Sequence, residues 1–189
     1  HANSHIAFQE HLRTIEERVA QCERLEKNLR DAAKEWRFYP VIQALQTLRG
    51  VQFTVAVGLV AEIGELSRFD SPPQLMAWLG LVPSEHSSGL RKRQGAITKC
   101  GNSYARRLLI EAAWAYRYTA KVSPTIQKRH EGMPKPIVDR AWDAQVRLCK
   151  RFKKLTARGK PHNVIVVAIA RELTGFIWDI ARMATATAK

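Results

Sequence analysis

The sequence predicts an all-α protein: a long N-terminal coiled-coil helix, then a helical domain that contains a helix-hairpin-helix-like element. Three observations carry that prediction. Apolar residues recur at helical spacing at both ends of the chain. Prolines and glycines punctuate the run between them at Pro40, Gly50, Pro72-Pro73 and Gly132–Pro136. One stretch alone, Gly80–Arg107, breaks the helical period. A length of 189 residues suffices for one good core with an appended helix. The expected division is 1–37 for the coiled-coil helix, serving oligomerisation or linkage, and 38–189 for the helical domain.

Ile6 to Trp36 reads as one helix, about 45 Å long at 1.5 Å per residue. Phe8, Leu12, Ile15, Val19 and Cys22 step by four and three. Leu25, Leu29, Ala32 and Trp36 resume the same stepping after an extra step of three, which is a heptad seam with a stammer. Mixed charges such as Glu16, Glu17, Arg18, Glu23 and Lys27 occupy the other faces. The seam predicts self-association or pairing with a partner helix, against the alternative that it folds back on its own domain.

A short helix from Pro40 to Thr47, a turn at Leu48–Val51 and a helix from Gln52 to about Ile63 make the hairpin. Its turn amides are candidates for a phosphate contact, although Gln52 stands where a second glycine is usual. Val55, Val57, Leu59 and Val60 are assigned to the core. Asp70-Ser71-Pro72-Pro73 opens a short helix over Gln74–Leu79. A helix from about Tyr104 to Tyr118, capped by Asn102 or Ser103, turns Leu108, Leu109, Ala112 and Ala115 inward. Its Trp114, Tyr116 and Tyr118 read as packing groups rather than base-stacking ones. Pro124–Arg129 is a short helix and Gly132–Pro136 a breaker. Ile137–Thr156 and Asn163–Met183 are helices, the latter apolar enough, with Val164, Ile165, Leu173, Phe176 and Ile180, to be the central core helix. The tail from Ala184 is read as frayed.

Charge is distributed unevenly. The net charge is +14, but residues 1–36 hold six basic and seven acidic side chains and residues 37–83 hold three of each. The whole excess therefore lies after Pro83, which points to a polyanionic partner. Within Gly80–Arg107, six cations (Arg91, Lys92, Arg93, Lys99, Arg106 and Arg107) face the single acid Glu85. A loop this long between helices is usually functional or disordered, and Ala96–Lys99 reads as a short extended piece within it. Further along, Arg147, Lys150, Arg151 and Lys154 recur at i, i+3, i+4 and i+7, one helical stripe of like charge that a phosphate backbone would relieve. The candidate nucleic-acid contacts are these ten cations together with Thr98 and Asn102.

Several function classes are excluded. No apolar run reaches ~18 residues, the length a membrane span needs. Cys22, Cys100 and Cys149 are far apart and form no C-x-x-C pair, as expected of reduced thiols in a cytoplasmic protein rather than a disulfide scaffold or zinc site. No D-x-D pair or clustered carboxylates suited to two metals occur, so no metal site is assigned. The chain opens on His1 and shows no signal peptide, as a piece of a longer protein would.

Gly80-Leu81-Val82-Pro83, Ser87-Ser88-Gly89, Ile97-Thr98-Lys99-x-Gly101-Asn102, Arg106-Arg107-Leu108-Leu109 and Glu111-Ala112-Ala113 follow one another in an order and spacing that resemble a known family. The similarity is to the C-terminal serine domain of transposases of insertion-sequence family one hundred and ten, the bridge-RNA-guided recombinases and related DNA invertases. It runs from about Leu45 to Ile180. The resemblance implies that Ser88 is a nucleophile that becomes joined to DNA. It also implies a preceding RuvC-like domain with four carboxylates that bind Mg, a guide RNA and DNA as partners, and a nucleoid-associated place in a bacterial cytoplasm. A serine hydroxyl needs a base or a neutralised target; the surrounding Lys and Arg and the helix start near Asn102 supply positive potential. His86, two residues before Ser88, is either a base or only a neighbour. The alternative reading is a non-catalytic helical DNA- or RNA-binding module; a third is an oligomerisation piece with an incidental basic patch.

Overall fold

The computed structural model describes residues 2–85 and 94–187. Ser88, His86, Arg91, Lys92 and Arg93 lie outside the described residues. Among the described residues the fold is all-α with one small two-stranded sheet, and the chain divides into two compact units, residues 1–39 and 40–189.

The first unit is the helix α1, Ala2–Lys34. Arg13–Glu17, Glu26–Arg30 and Asp31–Lys34 pair at helical spacing along it, and all are exposed enough to contribute little. The expected seam is visible and open: Phe8, Leu12, Ile15, Val19, Leu25 and Leu29 are all exposed, Phe8 at 60% and Ile15 at 58%.

Helix α2 (Tyr39–Leu45) starts at the boundary, and the second unit continues through α3 (Phe53–Ile63), α4 (Pro72–Trp78), α5 (Ser103–Ala113), α6 (Pro124–His130), α7 (Lys135–Ala157) and α8 (His162–Thr187). Single 3₁₀ turns lie at Leu66–Arg68 and Trp114–Arg117. Helix α8 is central, as its composition predicts. Ile165, Ile169, Ala170, Leu173, Ile177 and Ile180 form a buried stripe at helical spacing, which packs against α7, α5 and α4. The facing stripe of α7 is Ile137, Ala141, Ala144, Leu148, Cys149 and Phe152. Trp178 closes one end by donating its indole N–H to the Phe69 carbonyl at 2.9 Å. Truncating a large side chain in such a core typically costs about 2–5 kcal/mol.

Four details depart from the expectation. Val164 is 53% exposed rather than core, because it sits on the edge of α8 that faces a groove. Val55 is only half-buried. The helix expected to run to Tyr118 tightens at Ala113 into the 3₁₀ turn, where Tyr116 is wholly buried while Trp114 and Tyr118 stay exposed. At the other end of the chain, α8 runs on to Thr187 where fraying was expected.

The turn between α2 and α3 is fastened within the fold. Gly50 has φ 81°, and a Cβ there would stand 2.3 Å from the Ala112 carbonyl oxygen, so only glycine allows α5 to come this close. Arg129 of α6 donates to the Val51 carbonyl at 2.8 Å, and the His130 ring lies 3.1 Å from the Thr47 carbonyl. Arg49 reaches the Thr119 carbonyl at 2.8 Å.

Candidate nucleic-acid interface

The polar stretch that interrupts the helices begins and ends at one point. Helix α4 stops at Gly80 in a paired cap: the Gly80 amide donates to Ala77 and the Leu81 amide to Met76. Gly80 takes φ 65° and lies so close to Lys99 and Cys100 that a Cβ would meet the Cys100 oxygen at 2.2 Å. Gly101, at φ 76°, is pressed likewise against the Trp78 carbonyl. From this contact two strands leave antiparallel, β1 (Pro83–Glu85) and β2 (Gln94–Ile97). The register pairs Pro83 with Ile97 and Glu85 with Gln94, leaving one extra residue on β2, a bulge. Below them the Thr98 amide donates to Val82 and the Lys99 amide to Gly80. The extended piece expected at Ala96–Lys99 is thus the return strand of a hairpin. Its partner, β1, has no signal in the sequence.

Arg106 on α5 locks this base. Its Nη1 donates to the Leu79 carbonyl at 2.9 Å and to the Cys100 carbonyl at 3.0 Å. Asn102 caps α5, accepting from the Ala105 amide at 2.9 Å, while its amide nitrogen donates to Glu62. A cap of this kind is worth about 1 kcal/mol. Arg107 lies over the Tyr104 ring, 5.2 Å from its centroid, and pairs loosely with Glu111. Thr98 is exposed.

Beside the hairpin is an open groove of about 770 Å³. The hairpin side supplies Pro83, Gly95, Ala96, Ile97 and Lys99; α5 supplies Arg106 and Ile110; α7 supplies Arg147 and Arg151. The far wall is α8, through Asn163, Val164, Val167, Ala168, Arg171 and Glu172. Two basic stretches about fifty residues apart in sequence therefore meet across one cleft. Of the predicted stripe, Arg147 and Arg151 line the groove, whereas Lys150 and Lys154 are exposed outside its lining. Glu172 bridges the pair: Arg147 Nε donates to Oε2 at 3.0 Å and Arg151 Nε to Oε1. The carboxylate fixes both guanidinium groups at the groove wall. A second recess of about 300 Å³ adjoins at Arg147 and Glu172 and contains the Arg140–Asp179 pair at 2.6 Å.

Sequence reasoning missed Arg171, Glu172 and Asn163. A signal existed: Asn163, Val164, Val167, Ala168, Arg171 and Glu172 recur at helical spacing, a second face on a helix assigned wholly to the core. Among the described residues no group of three or more His, Cys, Asp or Glu could hold a metal ion. Nor is any described helix long and apolar enough to cross a membrane.

With the groove in view, comparison with known proteins is informative. Residues 42–131 match the transposase IS116/IS110/IS902 family. A protein of Sinorhizobium fredii named "Putative transposase y4qE" is 43% identical over 169 residues, covering 89% of this chain and 43% of that protein. A protein of Pseudomonas aeruginosa named "Probable family 20 transposase" is 29% identical over 174 residues, or 92% of this chain and 43% of its own. The transposase of insertion sequence element IS1111A from Coxiella burnetii is 40% identical over 73 residues, 39% of this chain and 20% of that one. The chain thus spans less than half the length of the relatives it matches. The chain is similar over most of its length to proteins described as transposases, and residues 42–131 carry the match to the IS116/IS110/IS902 transposase family.

Proposed function

We propose that this chain is the serine domain of a DNA transposase or recombinase, with Ser88 as nucleophile. One observation carries the reading: Lys99, Arg106, Arg147, Arg151 and Arg171 converge on one groove beside the hairpin whose strands lead into and out of the Ser88 segment. Phosphodiesters repel an incoming nucleophile until their charge is offset, and a cluster of fixed cations does that without reorganising. The Ser88 oxygen would give up its proton, bond to phosphorus and displace one of the two flanking sugar oxygens, which takes up a proton. The phosphodiester count is unchanged, so rejoining needs no external energy source.

The family resemblance adds a RuvC-like domain, Mg bound by its carboxylates, and a guide RNA, all contributed from outside these residues. DNA is the substrate in this reading. The nearby acids are already engaged, Glu172 by two arginines and Glu62 by Asn102.

The test uses the complete protein with its carboxylate domain and guide RNA. Ser88→Ala should abolish the covalent protein–DNA adduct, leave DNA binding near wild type, and change stability by less than ~0.5 kcal/mol. Ser87→Ala is the control. An adduct lost only with Ser87→Ala moves the nucleophile by one residue, and one surviving both changes sinks the serine mechanism. A non-catalytic binding module would keep all its activity in Ser88→Ala.

A further inference from the structure

The groove combines two surfaces that a phosphate-binding cleft does not need together. Part of its lining is cationic, with Lys99, Arg106, Arg147, Arg151 and Arg171 against one acid, Glu172. Part is aliphatic: Ile97, Ile110, Val164 and Val167 line it and none of them is buried. Val164, in the first turns of the central helix, is 53% exposed. Apolar side chains gathered in a concave site mark contact with an apolar surface.

We propose that this groove receives unpaired nucleotides, with bases seated on its aliphatic side chains and the neighbouring cations on the phosphates. The inference deepens the nucleic-acid reading and rests on it. A duplex turns its phosphates and sugars outward and hides its base faces in the stack, so it would meet the cations and leave the aliphatic side chains in water. An unstacked nucleotide carries a flat apolar face and an anion a few ångströms apart, which matches both parts of the lining at once. Charge argues against a peptide as occupant, because five cations to one acid would have to be matched by a strongly acidic segment. Strand exchange must at some stage present DNA in this unpaired form.

The experiment measures binding of the 189-residue chain to three fluorescent probes at one ionic strength: an oligothymidylate, an abasic deoxyribose-phosphate oligomer of equal length, and a duplex. Thymidylate and abasic strands carry equal charge and differ only in the bases. The expected result is that thymidylate binds about tenfold more tightly than the abasic strand. Val164→Ser with Val167→Ser should remove most of that difference and leave abasic affinity unchanged. Val164→Ser alone, at an exposed position, keeps the test valid should the double variant melt early. Equal affinity for thymidylate and abasic strands, a preference for duplex, or a variant that weakens both strands alike would overturn the proposal while leaving nucleic-acid binding in place. Absence of salt-dependent binding to every probe would overturn the binding reading as well.

Discussion

Tyr116 is wholly buried, and its hydroxyl has no hydrogen-bond partner among the described residues. An unpaired buried hydroxyl costs about 1–3 kcal/mol, so Tyr116→Phe should raise the unfolding free energy by about 1 kcal/mol. Burial also pushes the phenol well above its ordinary 10.0, reinforced by Cys149 and opposed by Arg49 and Arg129. The Cys149 thiol is raised by burial too. A group that binds its proton more tightly when folded contributes stability that is complete below its unfolded pKa and lost as pH rises toward the folded one. The protein should therefore weaken in alkali, from about pH 9 upward, and Tyr116→Phe should weaken less. Urea midpoints of both proteins at pH 8 and pH 10.5 measure this; parallel losses would mean that another group carries the effect. Single side chains were also where the sequence reading was least complete. Asn102 and Arg106 were chosen as nucleic-acid contacts on charge and position; the fold also uses them as a helix cap and as a clamp on two carbonyls, and Arg106 lines the groove as well. Charge is legible in a sequence, whereas the carbonyls waiting for it are not.

The helices were legible because their signals are local: Pro72-Pro73 opens α4, Asn102 caps α5, and the heptad steps of α1 and the stripe of α8 lie within single segments. The hairpin was half legible, since Pro83 finds its partner Ile97 fourteen residues away, beyond any period a window can detect. For α1 the same local pattern predicts what the exposed seam is for. Leu12 and Val19, at 43% and 52% exposure, lie on one face of the helix. If that face pairs with a second copy, Leu12→Asp with Val19→Asp should lower the mass in sedimentation equilibrium and leave the thermal melt of residues 40–189 unchanged. Unchanged mass would mean that the seam serves no self-association.

Across the whole molecule, the groove joins residues that the sequence presents as two unrelated basic stretches. Long-range packing of α7 against α8 makes it, and that packing also separates the predicted stripe into two pairs. Arg147 and Arg151 face the cleft and Lys150 and Lys154 do not. Each phosphate contact contributes about 0.9 to the slope of log affinity against log salt. Replacing Arg147 and Arg151 with Gln should flatten that slope by about two units, and replacing Lys150 and Lys154 by less than about one. Equal effects from the two pairs would place the nucleic acid along the outside of α7 instead.

The tie at Gly80, Lys99 and Gly101 has a bearing on how such a domain can change over evolutionary time. Because the entering and leaving backbones are hydrogen-bonded to each other before either reaches the strands, the span between Glu85 and Gln94 has its ends already joined. Lengthening it costs only loop-closure entropy, about 0.6 kcal/mol per doubling. Sequence there is free to drift without renegotiating the core, and the core is free to accumulate substitutions without parting the two ends of the span.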